Sequence, residues 1–248
     1  MATEAQLKTL RENLKEYKKR YLRKEFSSVN EPATRIMVNY FLSDILGYKE
    51  LEEIKTEYRI KSDYADYVIQ LKRKKHFVVE VKSIDIDLND KHLKQSLSYA
   101  ANEGIDWILL FNGRQLQLYR VNFGKPITTT LITQLDLMDT QDIKKAPELL
   151  WYITKRAVEK GELETFWKRT TALDPSNLSK LLYSEKIVKR LRNDLKDQTG
   201  IYFQIDDVAD SLCQIITQKT EFPPKPRLKI EKKAAKKSIH PVIENVEK

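Results

Sequence analysis

Three residues that could perform chemistry together, Asp66, Glu80 and Lys82, lie in two neighbouring apolar stretches of the sequence. In the stretch "HFVVEVKS", strand alternation would point Val79 and Val81 into a core and place Glu80 and Lys82 on the opposite face. Fourteen positions separate Asp66 from Glu80, so two adjacent antiparallel strands can bring both carboxylates to one end of a sheet. Two carboxylates beside a lysine suit metal-assisted hydrolysis of a phosphodiester bond.

Magnesium is the metal that this set of residues predicts. It prefers oxygen ligands and keeps several waters, so Asp66, Glu80, the backbone carbonyl of Val81 and a substrate phosphate would suffice. Manganese is expected to substitute. Lys82 could neutralise charge that develops on the phosphate, or orient and deprotonate the attacking water.

A purely structural interpretation of the same residues stays open. Acid-x-Lys triplets are common in a chain that is 33% charged. In that interpretation Asp66 caps a strand end, and Glu80 and Lys82 form an exposed cross-strand pair. Gln95 and Tyr99 weigh against it, because residues four apart share one face of a helix and could turn toward the same end of the sheet. They could equally be a surface amide and a partly buried ring.

The elements that must position these residues follow from hydrophobic periodicity and turn signals. The sequence predicts a helix over 31–47, strands at 54–60, 64–71 and 75–83, a helix over 89–104, and strands at 106–111 and 115–121. The residues that the first helix is expected to bury are Ile36, Val38, Phe41, Leu42, Ile45 and Leu46. The second helix is expected to bury Leu93, Leu97 and either Ala100 or Ala101 against the sheet. A strand, a crossover helix and a second strand imply a parallel pair inside a mixed sheet, with 115–121 at the sheet's edge. The predicted class is therefore α/β, with a mixed β-sheet flanked by helices.

The remaining segments are predicted to be helical or tail-like. Residues 1–28 read as a basic N-terminal helix, 29–138 as the α/β domain, 139–220 as a helical domain and 221–248 as a basic mobile tail. The tail is rich in proline and holds eight Lys or Arg against four Glu. Its expected nucleic-acid-binding residues are Lys225, Arg227, Lys229, Lys232, Lys233, Lys236 and Lys237.

Composition excludes several classes of protein. Among 248 residues there is one cysteine, which excludes an internal disulfide, and three scattered histidines without zinc-ligand spacing. No apolar run approaches the ~20 residues that span a bilayer, and the first residues carry no apolar signal region. These features predict a cytoplasmic protein without a membrane association. The formal charge of +9 suggests an anionic partner, most commonly nucleic acid.

The ordered set "DYADYVIQ", "FVVEVKS", "QSLSYA", "WILLFNG" and "QLYRV" resembles the N-terminal nuclease domain of type I restriction enzyme R subunits, a branch of the PD-(D/E)xK nuclease superfamily. With "NEPATRIMVNYFLSDILGY" upstream, the resemblance covers roughly residues 29 to 122. It implies a restriction-endonuclease-like fold in which Asp66 and Glu80 bind magnesium and Lys82 is catalytic. It also implies that Gln95 and Tyr99 help to place the nucleic acid, with Glu31, or more weakly Glu57, as a further metal ligand.

Two departures from the family pattern shape the functional hypothesis. Ala65 precedes the first acid where the superfamily's name has proline, a position that bears no chemistry. No Gly-rich phosphate loop ending in Lys-Ser or Lys-Thr follows, so no ATP-driven motor is expected. The leading hypothesis is a stand-alone magnesium-dependent nuclease, acting on DNA and possible as a homodimer. The alternatives are a catalytically idle nuclease-fold module that binds nucleic acid or a partner protein, and an interaction subunit of a defence system.

Overall fold

The computed structural model of the protein describes residues 2–60 and 63–217, without the side chains of residues 57–60, 63–64 and 216–217. The tail from residue 221, with the seven basic residues expected to bind nucleic acid, lies outside the described residues. The side chain of Glu57 lies outside them as well.

The described part of the chain contains helices both before and after its strands. The helices are α1 (Glu4–Tyr21), α2 (Glu31–Tyr40), α3 (Leu93–Glu103), α4 (Asp142–Trp151), α5 (Lys155–Glu159), α6 (Glu162–Ala172), α7 (Pro175–Leu182), α8 (Glu185–Thr199) and α9 (Ile205–Thr217). A π-helical turn, Phe41–Ile45, continues α2, and short 3-10 turns occupy Lys24–Phe26 and Asp90–His92.

The sheet is mixed, and its strands follow one another in sequence order. They are β1 (Ile54–Ile60), β2 (Asp63–Leu71), β3 (Lys74–Val81), β4 (Trp107–Phe111), β5 (Gln115–Asn122) and β6 (Thr128–Asp136). β3 and β4 pair in parallel across α3, and the other neighbours are antiparallel. The predicted α/β class and parallel pair are confirmed. The prediction that β5 forms the edge is wrong, because β6 pairs with it; β6 is mostly polar and half-exposed, so it lacks the apolar alternation that marks a strand.

Two apolar clusters cover the two faces of the sheet. Phe77, Val79 and Val81 of β3 point into a large cluster shared with α1, α2 and α4. Val78 points to the other face, where α3 packs. Glu80 follows the same alternation, so its side chain lies on the α3 face of the sheet.

Burial on two helices differs from the prediction. On the first helix Ile36 is exposed, whereas the other five residues expected to be buried are buried: Val38, Phe41, Leu42, Ile45 and Leu46. On α3 the buried positions are Leu93, Ser96, Tyr99 and Ala100, with Leu97 only partly buried and Ala101 half-exposed. The prediction is therefore wrong for Ile36, and of the two alanines on α3 it is Ala100 that is buried.

The described residues divide into two compact units, one extending to Asp174 and the other beginning at Pro175. α1 and α4 to α6 pack within the first unit, although the sequence placed boundaries at residues 28 and 139. The second unit contains α7, α8 and α9, with Val188 and Val208 buried. Among the described residues, no helix combines the length and apolarity that crossing a membrane requires.

A buried hydrogen bond joins α1 to the hairpin between β4 and β5. The hydroxyl of Tyr17 donates to the carbonyl oxygen of Gly113 at 2.6 Å, and the tyrosine is fully buried. Gly113 has a φ of +82°, as the tight turn requires, and a Cβ there would meet the sulfur of Met37 at 3.2 Å. The hairpin is therefore held against α1 at a fixed position.

We expect Tyr17→Phe to destabilise the protein by about 1–3 kcal/mol, because it leaves the Gly113 carbonyl buried without a donor. Denaturant unfolding measures the change. Tyr21→Phe is the matched control, since Tyr21 is partly exposed on the same helix. An equal decrease in the free energy of unfolding in both variants would contradict a stabilising role of the Tyr17–Gly113 hydrogen bond.

Candidate active site

Glu80 is the most buried acidic side chain in the described sheet, with 5% of its surface exposed. Its Oε1 accepts a hydrogen bond from Nζ of Lys82 at 2.5 Å, and its Oε2 accepts one from Oγ of Ser96 on α3 at 2.8 Å. Both carboxylate oxygens therefore have a donor, as a buried charge requires.

The environment of Glu80 favours its protonated form. Burial raises the pKa of this carboxyl group, and the charge of Asp66 raises it further. The hydrogen bonds from Lys82 and Ser96 act in the opposite direction, but the net pKa remains above the ordinary value. Asp66 and Glu80 are thus close enough to interact electrostatically, as the sequence predicted.

Asp66 lies on β2 where this strand passes the end of β3. Its Oδ2 accepts a hydrogen bond from the backbone N–H of Val81 at 2.7 Å, and its Oδ1 accepts one from Nη2 of Arg35 on α2. The carboxylate is therefore fixed from two directions, by the strand that carries Glu80 and by the helix on the opposite face.

Arg35 links two acids. Besides Asp66, its Nη2 contacts Oε1 of Glu31 at 3.1 Å, one turn earlier on α2. Burial lowers the pKa of Arg35, but the charges of Asp66 and Glu31 outweigh this effect and the net pKa is raised. The hydroxyl of Tyr67 donates to the Arg35 carbonyl at 3.0 Å. Burial raises the pKa of Tyr67 to about 12, so this hydroxyl remains a donor at neutral pH.

Lys82 completes the network at the end of β3. Its Nζ lies 2.5 Å from Glu80 and 3.9 Å from Oε2 of Glu31. The structure therefore brings together Glu31, Asp66, Glu80 and Lys82, all predicted from sequence. The interpretation of Glu80 and Lys82 as an exposed pair is wrong, because Glu80 is buried.

Asn112 holds the chain that follows Lys82. This fully buried side chain donates from Nδ2 to the carbonyl of Ile86 at 2.8 Å and accepts at Oδ1 from the N–H groups of Arg114 and Gln115. The backbone N–H of Lys82 itself donates to the Phe111 carbonyl at 3.3 Å. The β4–β5 hairpin thus fixes where Lys82 leaves the sheet.

Gln95 and Tyr99 lie in different environments in the structure. Gln95 is exposed and lines an open cleft of about 530 Å³ together with Glu80 and Lys82. Tyr99 is fully buried in the cluster between α3 and the sheet. The expectation that both residues face the cleft is therefore correct for Gln95 only; a ring at position 99 is turned about 40° further around the helix, onto the buried seam.

The described residues contain no group of three or more His, Cys, Asp or Glu side chains arranged to hold a metal ion. Asp66 and Glu80 supply two carboxylates of the kind that magnesium prefers. Val81, the expected carbonyl ligand, directly follows Glu80 in the chain; it is buried and donates its N–H to Asp66. The side chains thus provide a two-carboxylate set, with Glu31 joined to it through Arg35 and Lys82.

Residues 30–134 match the family model of the type I restriction enzyme R protein N terminus. This segment is therefore similar to the N-terminal domain of type I restriction enzyme R proteins. The match begins just before α2 and runs into β6, so it contains every residue of the carboxylate and lysine network. The search of the curated proteins and the search of the solved structures each found no match.

Sequence reasoning missed two members of the network, Arg35 and Ser96. Arg35 could have been noticed from its position four residues after Glu31 on the same helix. Ser96 lies inside the stretch "QSLSYA", but a serine on an amphipathic helix gives no signal that it will donate to an acid.

The raised pKa of Glu80 predicts an effect on stability in the presence of EDTA. Because the pKa of Glu80 is higher in the folded state than in the unfolded state, protonation of this group favours folding. The resulting contribution to the free energy of unfolding is complete below the unfolded-state pKa and is lost as pH rises through the folded-state pKa. We therefore expect Glu80→Gln to have a higher melting temperature than the wild type at pH 7. The difference should shrink toward zero below pH 4.5, the ordinary pKa of the group.

Calorimetry from pH 4 to pH 8 checks this expectation. Glu12→Gln, an exposed acid on α1, provides the control with the same change of side chain and should shift little at any pH. A Glu80→Gln protein that is less stable than the wild type at pH 7 would contradict the prediction.

Proposed function

We propose that the protein is a metal-dependent nuclease that hydrolyses phosphodiester bonds in DNA. One observation carries the proposal: a buried glutamate, paired with Lys82 and close to Asp66, ends a central strand of a restriction enzyme R N-terminal domain. Burying an acid costs free energy, so a fold that needs only stability has little reason to keep one on its sheet.

The proposed metal ligands are Asp66, Glu80 and the carbonyl oxygen of Val81, with Glu31 as a further acid. Magnesium, or manganese in its place, would supply a Lewis acid for the phosphate and a more acidic bound water. The negative charge of Asp66 repels the ionised form of Glu80, and a divalent cation bound by both carboxylates would remove this repulsion. The carboxylate chemistry therefore fits the metal.

The chain's own residues have separate tasks in this proposal. Lys82 carries a positive charge at the edge of the cleft, where it can stabilise a phosphate that gains negative charge, or orient the attacking water. Gln95 lines the same cleft and is proposed to contact the nucleic acid. Tyr99 supports the helix that presents Gln95 and acts as a positioning residue.

A second candidate function is a nuclease-fold module that binds nucleic acid without cutting it. It is favoured by the contacts of Asp66, whose two oxygens are held by Arg35 and by the Val81 N–H. In this alternative Arg35 takes the place that a metal would need. The two functions differ in whether the carboxylates bind a divalent cation.

We expect Glu80→Ala and Asp66→Asn to abolish cleavage of DNA in magnesium or manganese while leaving DNA affinity largely intact. Lys82→Ala should slow cleavage by about 10²–10⁴-fold, the usual contribution of a positioned proton-transfer or charge-stabilising group. Cleavage of linear, circular and branched DNA with purified protein measures the effect. Lys74→Ala, which removes an exposed lysine at the start of the same strand, is the control and should cut normally.

Metal binding has a readout that does not depend on cleavage. We expect magnesium or manganese to raise the melting temperature of the wild type, since a ligand that binds only the folded state stabilises it. Asp66→Asn and Glu80→Gln should lose this shift, whereas Glu12→Gln should keep it. A wild type that melts at the same temperature with and without these metals would favour the non-cutting module.

A further inference from the structure

The cleft beside Glu80 is bounded on one side by the beginning of α3. Lys91, Lys94 and Ser98 line this side, and Glu80 and Lys82 lie at its inner edge. Lys91 belongs to the 3-10 turn that leads into α3, and Lys94 and Ser98 belong to α3 itself. Their spacing of i, i+3 and i+7 places them in one stripe along this turn and the helix that continues it. The stripe runs next to the buried seam of α3, so the packing of this helix fixes the direction in which the stripe faces.

The charges in the cleft are mostly positive. Lys91 and Lys94 are exposed, and among the described residues neither ammonium group lies within salt-bridge distance of an acid. Lys82 in the same cleft is paired with acids, as is Lys75 on β3. The positive charges of Lys91 and Lys94 therefore form no ion pair that would stabilise the described part of the fold.

Helix electrostatics make this placement informative. The N-terminal end of a helix attracts anions and is an unfavourable place for cations. The acid of this turn, Asp90, accepts a hydrogen bond from the Tyr119 hydroxyl on β5 at 3.0 Å. Lys91 and Lys94 thus lie where helix stability alone would favour acids, whereas a bound anion would interact well with both the lysines and the helix end.

We propose that Lys91 and Lys94 bind the phosphate backbone of the DNA strand that passes Lys82. This assignment rests on the proposed function, since it takes the ligand of the cleft to be the substrate of the Glu80 site. The two lysines would contact consecutive phosphates and make no contact with the bases, so their contribution to affinity would be independent of DNA sequence. Their role is to bind and position the substrate.

The experiment is fluorescence anisotropy with a labelled 30-base-pair duplex in EDTA, so that no cleavage occurs, at several salt concentrations. Lys91→Ala/Lys94→Ala should bind about tenfold more weakly near 100 mM salt, and its plot of log affinity against log salt should be flatter by about 1.8, the value for two phosphate contacts. Lys91→Arg/Lys94→Arg should restore both quantities, because arginine keeps the charge.

The matched control is Lys144→Ala/Lys145→Ala, which removes two neighbouring exposed lysines from α4. It should retain the wild-type slope. An alanine pair at 91 and 94 that binds like the wild type, or a wild type that does not bind the duplex, would overturn the inference. If the alanine pair has the flatter salt dependence but the wild type never cuts DNA, the phosphate contacts of Lys91 and Lys94 are supported and the nuclease proposal is refuted. Failure of this inference can therefore be told apart from failure of the proposed function.

Discussion

Removing the Glu80 carboxylate from water is the constraint around which the first unit is organised. An isolated buried carboxylate costs roughly several kcal/mol, and only close partners can offset that cost. Lys82 provides one partner from the same strand and Ser96 provides another from α3. Ser96 can reach Glu80 only if β3 and α3 keep their relative position, so the apolar packing between helix and sheet also stabilises the acid.

The opposite face of the sheet contributes through Arg35. This side chain comes from α2, which packs on the face away from α3, yet it reaches Asp66 on β2, beside the end of β3. Asp66 in turn accepts the N–H of Val81, one residue after Glu80. Elements from both faces therefore meet at the place where β2 and β3 separate. A strand end offers this access because its last backbone groups have no neighbouring strand to pair with.

The sequence predicted β1 to β5, α2, α3 and the residues Asp66, Glu80 and Lys82 from patterns that depend on few interactions. Apolar alternation and glycine turns report local geometry, and they are strong wherever a segment is buried. β6 escaped because a half-exposed edge strand has no such alternation. The exposure of Ile36 and the burial of Ser96 were not predicted, because an apolar pattern does not define the exact limits of the buried face of a helix. Arg35 and Ser96 escaped because their partners are distant in the chain.

The charges of the network suit the proposed binding of a metal cation together with a phosphate anion. Glu31, Asp66 and Glu80 face Arg35 and Lys82, which leaves one net negative charge when all five groups are ionised. Burial is the main cause of the raised pKa of Glu80, and the charge of Asp66 raises this pKa further. A divalent cation would reverse the sign of the site, and a phosphate entering from the Lys91 and Lys94 side would then restore neutrality. In this arrangement metal and phosphate each strengthen the binding of the other, since each removes the charge that opposes it.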